Sequence, residues 1–358
     1  MTHINSLKKR DPSLDLLKAI AMLMVVILHV GLFHGNFIAH PKIGTYIQYA
    51  FRLLSEGVPL FVVVNGYLLL HREGNDYKKI FRKIKKIAII FCGWALFMIL
   101  IKMVIWHHPL PFNEIVITFL KTDISNKYNG VLWFLQNLIA LYFLVPLIKL
   151  IRDQSIVFYR YFFGLAFVFS IGLNALRFVT NVLVAFTGMN HILDLNAFIG
   201  HLNPIGNGHF IFFFMLGDFI WQYREKLKEN VRKCVVAALV FWGGAAGIAI
   251  AVSLKTHKIY PESFNYGSIF MVFIIIGWFA VASLYKGNNE RIRKIIESIG
   301  ANTMGIYLMH TILIALASQY HLVSYLKRPL LTLAVYFASF LLSWLIMKVP
   351  YLRNTVKL

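Results

Sequence analysis

Ten apolar windows of about 20 residues, separated by polar connectors, leave this 358-residue chain little choice of fold. A stretch of that length and polarity satisfies its backbone hydrogen bonds in hydrocarbon as a helix. The windows fall near residues 14–34, 44–70, 87–106, 131–151, 158–177, 208–223, 234–254, 265–285, 298–320 and 328–348. They predict an all-α, polytopic integral membrane bundle of about ten transmembrane helices in a single domain over 1–358. Composition agrees: 59% of residues are hydrophobic and mean hydropathy is +0.67, far from a soluble domain. Pro59 and Pro146 sit inside windows and predict kinks.

The connectors sort by charge. Segments 1–13, 71–86, 152–157, 224–233, 286–297 and 349–358 hold most of the Lys and Arg, led by YKKIFRKIKK (77–86) and REKLKENVRK (224–233). The positive-inside rule then orients the bundle with both ends in the cytoplasm. A net charge of +21 therefore concentrates on the inner face, where it suits anionic headgroups of the lipid bilayer or a polyanionic cytosolic ligand. Nucleic acid is not an expected partner, because no soluble domain presents a groove reader. Lys8, Lys9 and Arg10 open the chain as a signal peptide would, yet the following run is too long and lacks a small-x-small site, so it reads as an uncleaved first helix.

Cys92 and Cys234 each stand alone beside apolar residues, which argues against a disulfide framework or a thiolate metal site. His107, His108, His191, His201 and His209 are scattered and no HExxH occurs, so no metal is expected. The longest outer connectors, 107–130 and 178–207, suit lids or acceptor-facing loops. No internal repeat is visible, which weakens an inverted-repeat transporter reading.

Within the first window, LDLLKAIAMLMVVILHVGLF, the polar side chains Lys18 and His29 lie eleven residues apart. On a helix that spacing returns to within about 20° of the same azimuth and rises about 16 Å. One face thus presents a cation near one surface and an imidazole towards the other. Ionisable groups inside hydrocarbon read as functional by default.

The segment LDLLKAIAMLMVVILH (14–29) resembles the first-helix signature of the ten-helix membrane acyltransferases that O-acetylate cell-envelope glycans, acyltransferase family three. VPLFVVVNGYLLL (58–70) is similar to that family's second-helix segment, with Asn65 in place of a serine. Arg82-Lys83-Ile84-Lys85 falls where the family has Arg-x-x-Arg, and the lysine keeps the charge but loses bidentate geometry. WFLQNLIALYFLVPLI (133–148) and NTMGIYLMHTILI (302–314) also resemble family segments, so the likeness spans nearly the whole chain.

The resemblance implies a multi-pass protein of a bacterial plasma membrane that uses cytosolic acetyl-CoA as acyl donor and an envelope glycan or lipid-linked acceptor outside. No permanently bound cofactor is implied. Lys18, Arg82 and Lys85 are then expected to hold coenzyme phosphates at the inner mouth, the ordinary alternative being a basic stop flank. His29 is expected to act as general base on the acceptor hydroxyl, with an acyl-histidine intermediate left open. His310 lies at comparable depth and is expected to assist transfer, orient His29 or satisfy a bundle contact. Glu56 is placed to orient an imidazole or to pair with Arg52, one turn earlier. Trp133 is expected at the outer interface, as a belt residue or an acceptor-stacking one. Asn65, with Asn302 and Tyr307, is a candidate donor to a developing oxyanion. A transporter of a glycan or small solute is the rival; it needs alternating access rather than a reactive imidazole.

Overall fold

The computed structural model describes residues 10–72, 74, 76–121, 126–188, 208–260, 265–323 and 327–357. A helix occupies each apolar window. α1 (Pro12–Val30) begins with proline at its first position under an Asp11 cap, whose carboxylate accepts from the Ser13 N–H at 2.9 Å. It ends at Gly31, which turns left-handed at φ 75°. The second window is split into α2 (Ile43–Arg52), a short turn and α3 (Gly57–Leu69), with Glu56 at the break. Pro59 starts a helix here instead of kinking one: it is the third residue of α3, where its missing N–H would have had no partner.

α4 (Tyr77–Ile105) starts ten residues before its apolar window, because the basic stretch is itself helical under an Asp76 cap. After α5 (Phe112–Leu120) come α6 (Trp133–Gln154), with Pro146 inside it, and α7 (Ile156–Ala166). A π turn over Phe167–Gly172 joins α7 to α8 (Leu173–Thr187). The remaining helices are α9 (His209–Gln222), α10 (Arg224–Glu229), α11 (Val231–Thr256), α12 (Ile269–Ser283), α13 (Glu290–Gln319) and α14 (Arg328–Lys348). Among the described residues 8 helical segments are long and apolar enough to cross a membrane, and α9 and α12 are shorter apolar helices. The chain is a membrane protein.

α1 packs on α3, α13 and α14, so Lys18 and His29 belong to a helix inside the bundle. Tyr336 of α14 donates to the Ala19 carbonyl at 3.0 Å. α3 and α9 cross backbone against backbone: a Cβ on Gly66 would lie 1.7 Å from the Phe214 carbonyl oxygen, and one on Gly217 2.2 Å from that of Val63. Apolar side chains such as Ile89, Val104, Val179, Val240 and Phe337 stay exposed on the peripheral helices, as lipid-facing positions require.

The basic connectors gather at one end. Arg10, Arg72, Lys79, Arg224, Lys286 and Lys357 all line one cavity there, and Arg152 donates to the Leu70 carbonyl beside it. Val356 is fully buried and the Trp94 indole donates to the Thr355 carbonyl at 2.8 Å, which tucks the last described residues against α4.

Candidate active site

A cavity of about 1770 Å³ opens at the basic end. Its lining includes ten Lys or Arg side chains against two carboxylates, Asp11 and Asp15. Such an excess favours a ligand with several negative charges. Lys18 is part of the wall, and Asp15 fixes it there at 3.3 Å while also accepting from Arg10. Asp15 is buried, and it fits because Gly300 faces it: a Cβ there would lie 2.7 Å from Asp15 Oδ1. The Asp15 bond raises the Arg10 pKa further.

Arg82 and Lys85, expected at this mouth, are exposed and outside the lining. Lys79, Lys83 and Lys86 occupy the cavity wall instead. Their spacing of four and three residues keeps them on one helix face, whereas Arg82 and Lys85 point elsewhere around α4. At the same end His71 stacks on Trp221 with centroids 4.7 Å apart, and the Arg224 guanidinium sits 4.7 Å from the same indole.

Three aromatic rings are among the lining side chains farthest from the basic end. They are Phe61, Phe134 and Tyr307; the Phe61–Phe134 centroids are 6.3 Å apart and the Phe134–Tyr307 centroids 5.8 Å. The Tyr307 hydroxyl donates to the Val131 carbonyl, which holds its ring in place. Asn65 also lines the cavity, below these rings, with its amide donating to Phe61 and its oxygen accepting from Tyr142 at 3.1 Å. The inner void therefore reaches Lys18 but not His29.

His310 follows Tyr307 by three residues, about 4.5 Å farther along α13. Its ring packs edge-on against His29 with centroids 4.9 Å apart. The hydrogen bonds assign both tautomers. His29 Nδ1 lies 2.8 Å from the Val25 carbonyl and His310 Nδ1 2.6 Å from that of Tyr307, so each Nδ1–H donates and each Nε2 carries a lone pair. His310 is fully buried and its Nε2 has no partner, whereas the His29 residue is exposed. A pair of imidazoles with free Nε2 atoms can accept and pass on a proton.

Around this pair the structure brings together residues distant in sequence. Glu56 is buried at 7% exposure and accepts from the Tyr266 hydroxyl, and Arg52 stands within electrostatic range of it. Tyr266 stacks on Trp133 at 6.0 Å, which links two of the expected residues through a tyrosine that the sequence did not single out. Lys102, buried near the far end of α4, is within electrostatic range of both imidazoles. Beyond α1, burial and then the charges of Arg52 and Arg328 push the His34 pKa below the ordinary histidine range. Asn302 is buried in the α13–α14 seam, bonded to the Ser298 carbonyl and to Ser343 Oγ at 2.7 Å, and does not line the cavity. His191 and His201 lie outside the described residues.

The profile of the acyltransferase domain, family 3, matches residues 11–348. The chain belongs to acyltransferase family 3. The match spans most of the cavity lining and both imidazoles, and it supports a membrane acyltransferase activity in general. No curated protein and no solved structure matches this acyltransferase.

Proposed function

We propose that this acyltransferase moves an acetyl group from cytosolic acetyl-CoA to a hydroxyl of a cell-surface polysaccharide or lipid-linked glycan, in a bacterial plasma membrane. The observation that carries this reading is the cationic cavity ending about one helical turn below the His29–His310 pair. In this reading the basic end faces the cytoplasm, and the cation excess suits the phosphates of the coenzyme. Lys18, held by Asp15, and the Lys79, Lys83 and Lys86 face of α4 hold those phosphates.

The roughly 16 Å between Lys18 and His29 is of the order that an extended pantetheine arm covers. The acetyl carbonyl passes the Tyr307–Phe134 contact to reach the imidazoles. His29, the exposed member, takes the acceptor hydroxyl proton on Nε2 as the oxygen attacks the thioester carbon. The carbon–sulfur bond breaks and the imidazolium returns the proton to the departing thiolate. His310 packs against the His29 ring and orients it. Glu56 is a positioning group through Tyr266 and Trp133, and Trp133 forms a wall for the sugar.

The test uses the full chain in lipid nanodiscs. Acetyl-CoA should bind, and free thiol should appear on adding an envelope glycan fraction, with ester-linked acetyl on the glycan. Absence of both coenzyme binding and thiol release, together with solute movement in liposomes, would overturn the reading in favour of a transporter.

A further inference from the structure

The rings farthest from the basic end come one from each of three helices. Residues four apart share a face, and that spacing puts Phe61 and Asn65 of α3, Phe134 and Leu138 of α6, and Thr303 and Tyr307 of α13 on the cavity lining. α3 and α6 run towards the basic end and α13 runs away from it. In each pair the ring therefore stands one turn farther in than its partner.

The rings meet in series, and the series continues into the imidazoles. After the Phe61–Phe134 and Phe134–Tyr307 contacts, at 6.3 and 5.8 Å, come Tyr307–His310 at 6.0 Å and His310–His29 at 4.9 Å. Tyr307 thus lines the cavity and also packs on His310. Phe134 and Tyr307 are buried, His310 is fully buried, and the Tyr307 hydroxyl is tethered to the Val131 carbonyl. A side chain held in this way makes room for a ligand only by shifting its neighbours, and every added methylene raises that cost.

We propose that Phe61, Phe134 and Tyr307 gauge the acyl chain of the donor: this layer of rings lets a two-carbon acyl group reach the imidazoles and turns back straight chains of four carbons or more. The inference rests on the acyl-transfer reading and adds to it the side chains that select among donors. Phosphates and pantetheine are the same in every acyl-CoA, so the cations of the basic end have no means of telling one donor from another. Selection falls to the side chains that meet the acyl group itself, on the way from the cavity to His310 and His29. Phe134 touches both other rings, so shortening it opens the layer most.

The test uses the full chain in lipid nanodiscs with an envelope glycan fraction, and follows thiol release from acetyl-, propionyl- and butyryl-CoA. The readout is the kcat/KM of butyryl-CoA divided by that of acetyl-CoA, a ratio that does not depend on how much of the protein is folded. In the parent it should be about 0.1 or below, because a single methylene in a closed apolar site is worth about 10–200-fold. Phe134→Ala should raise the ratio about tenfold or more, and Phe61→Leu should raise it less. Phe163→Ala is the control: it removes the same volume from the α7–α9 contact, where Phe163 stacks on Phe219 at 4.2 Å, and should leave the ratio unchanged.

A parent ratio near one overturns the proposal whatever the variants do. A low ratio that Phe134→Ala does not raise, or that Phe163→Ala raises equally, overturns it too, since selection then lies elsewhere or in the general tightness of the bundle. Should Phe134→Ala fail to fold, Phe61→Leu decides against the same control. Failure of the acyl-transfer reading looks different: no thiol is released from any donor, and the gauge falls with it.

Discussion

The two ends of the molecule are built differently. At the basic end a wide cavity spreads ten cations over its wall, and two of them, Lys18 and Arg10, are pinned by the buried Asp15. At the other end two imidazoles meet at 4.9 Å, each with its tautomer set by a backbone carbonyl. In the proposed reading the first arrangement holds a charged ligand through many weak, partly interchangeable contacts. The second depends on single atoms. Loss of one residue should therefore weigh very differently at the two ends.

The largest effect is expected from His29→Ala, which should lower turnover by about 10²–10⁴-fold with insertion into the membrane intact. Retained turnover would make the imidazole pair a packing feature and erase the contrast. Next, replacing Lys79, Lys83 and Lys86 together by Ala should raise the apparent KM for acetyl-CoA by about tenfold or more, with kcat changed little. The double replacement of the exposed Arg82 and Lys85 is the comparison, with an expected change within about twofold. Steady-state titration of the donor decides which face of α4 binds; the reverse ranking would turn that helix around.

The smallest effect is expected from Gly300→Ala. The new Cβ crowds Asp15, so Lys18 and Arg10 must shift. Overpacking of this kind costs about 1–3 kcal/mol, read as a lowered Tm with a modest rise in KM. An unchanged Tm and KM would show that Asp15 does not set the position of Lys18.

Much of the fold was legible in hydropathy. All ten windows are helical in the structure, α14 with the bounds expected of it. Windows of apolar residues report where hydrocarbon is, however, and not where a helix begins; hence α4 and α13 start well before their windows, under Asp76 and Asn289 caps. The break at Glu56 was legible in part: Arg52, Ser55, Glu56 and Gly57 interrupt the apolar run and Gly57-Val58-Pro59 fits a helix start, yet the window as a whole is apolar enough to read as one span.

The site was legible in part. Lys18 and His29 follow from periodicity on one helix. The facing direction of α4 does not: a basic stretch offers several helical faces, and packing selects among them. Asp15, one turn before Lys18, was visible in the sequence as a potential ion-pair partner and was missed. The Glu56–Tyr266 contact joins residues 210 positions apart, and the corner of Arg52, His34 and Arg328 joins the end of α2, the segment after α1 and the start of α14. Such long-range meetings leave no trace in local spacing.

The contact between Gly66 and Phe214, and its mirror between Gly217 and Val63, has a mechanical consequence. Two rods in contact main chain to main chain leave no room for a larger residue at either glycine, so this crossing keeps α3 and α9 at closest approach. For the proposed transfer, that crossing is fixed scaffolding beside which the donor arm would be laid.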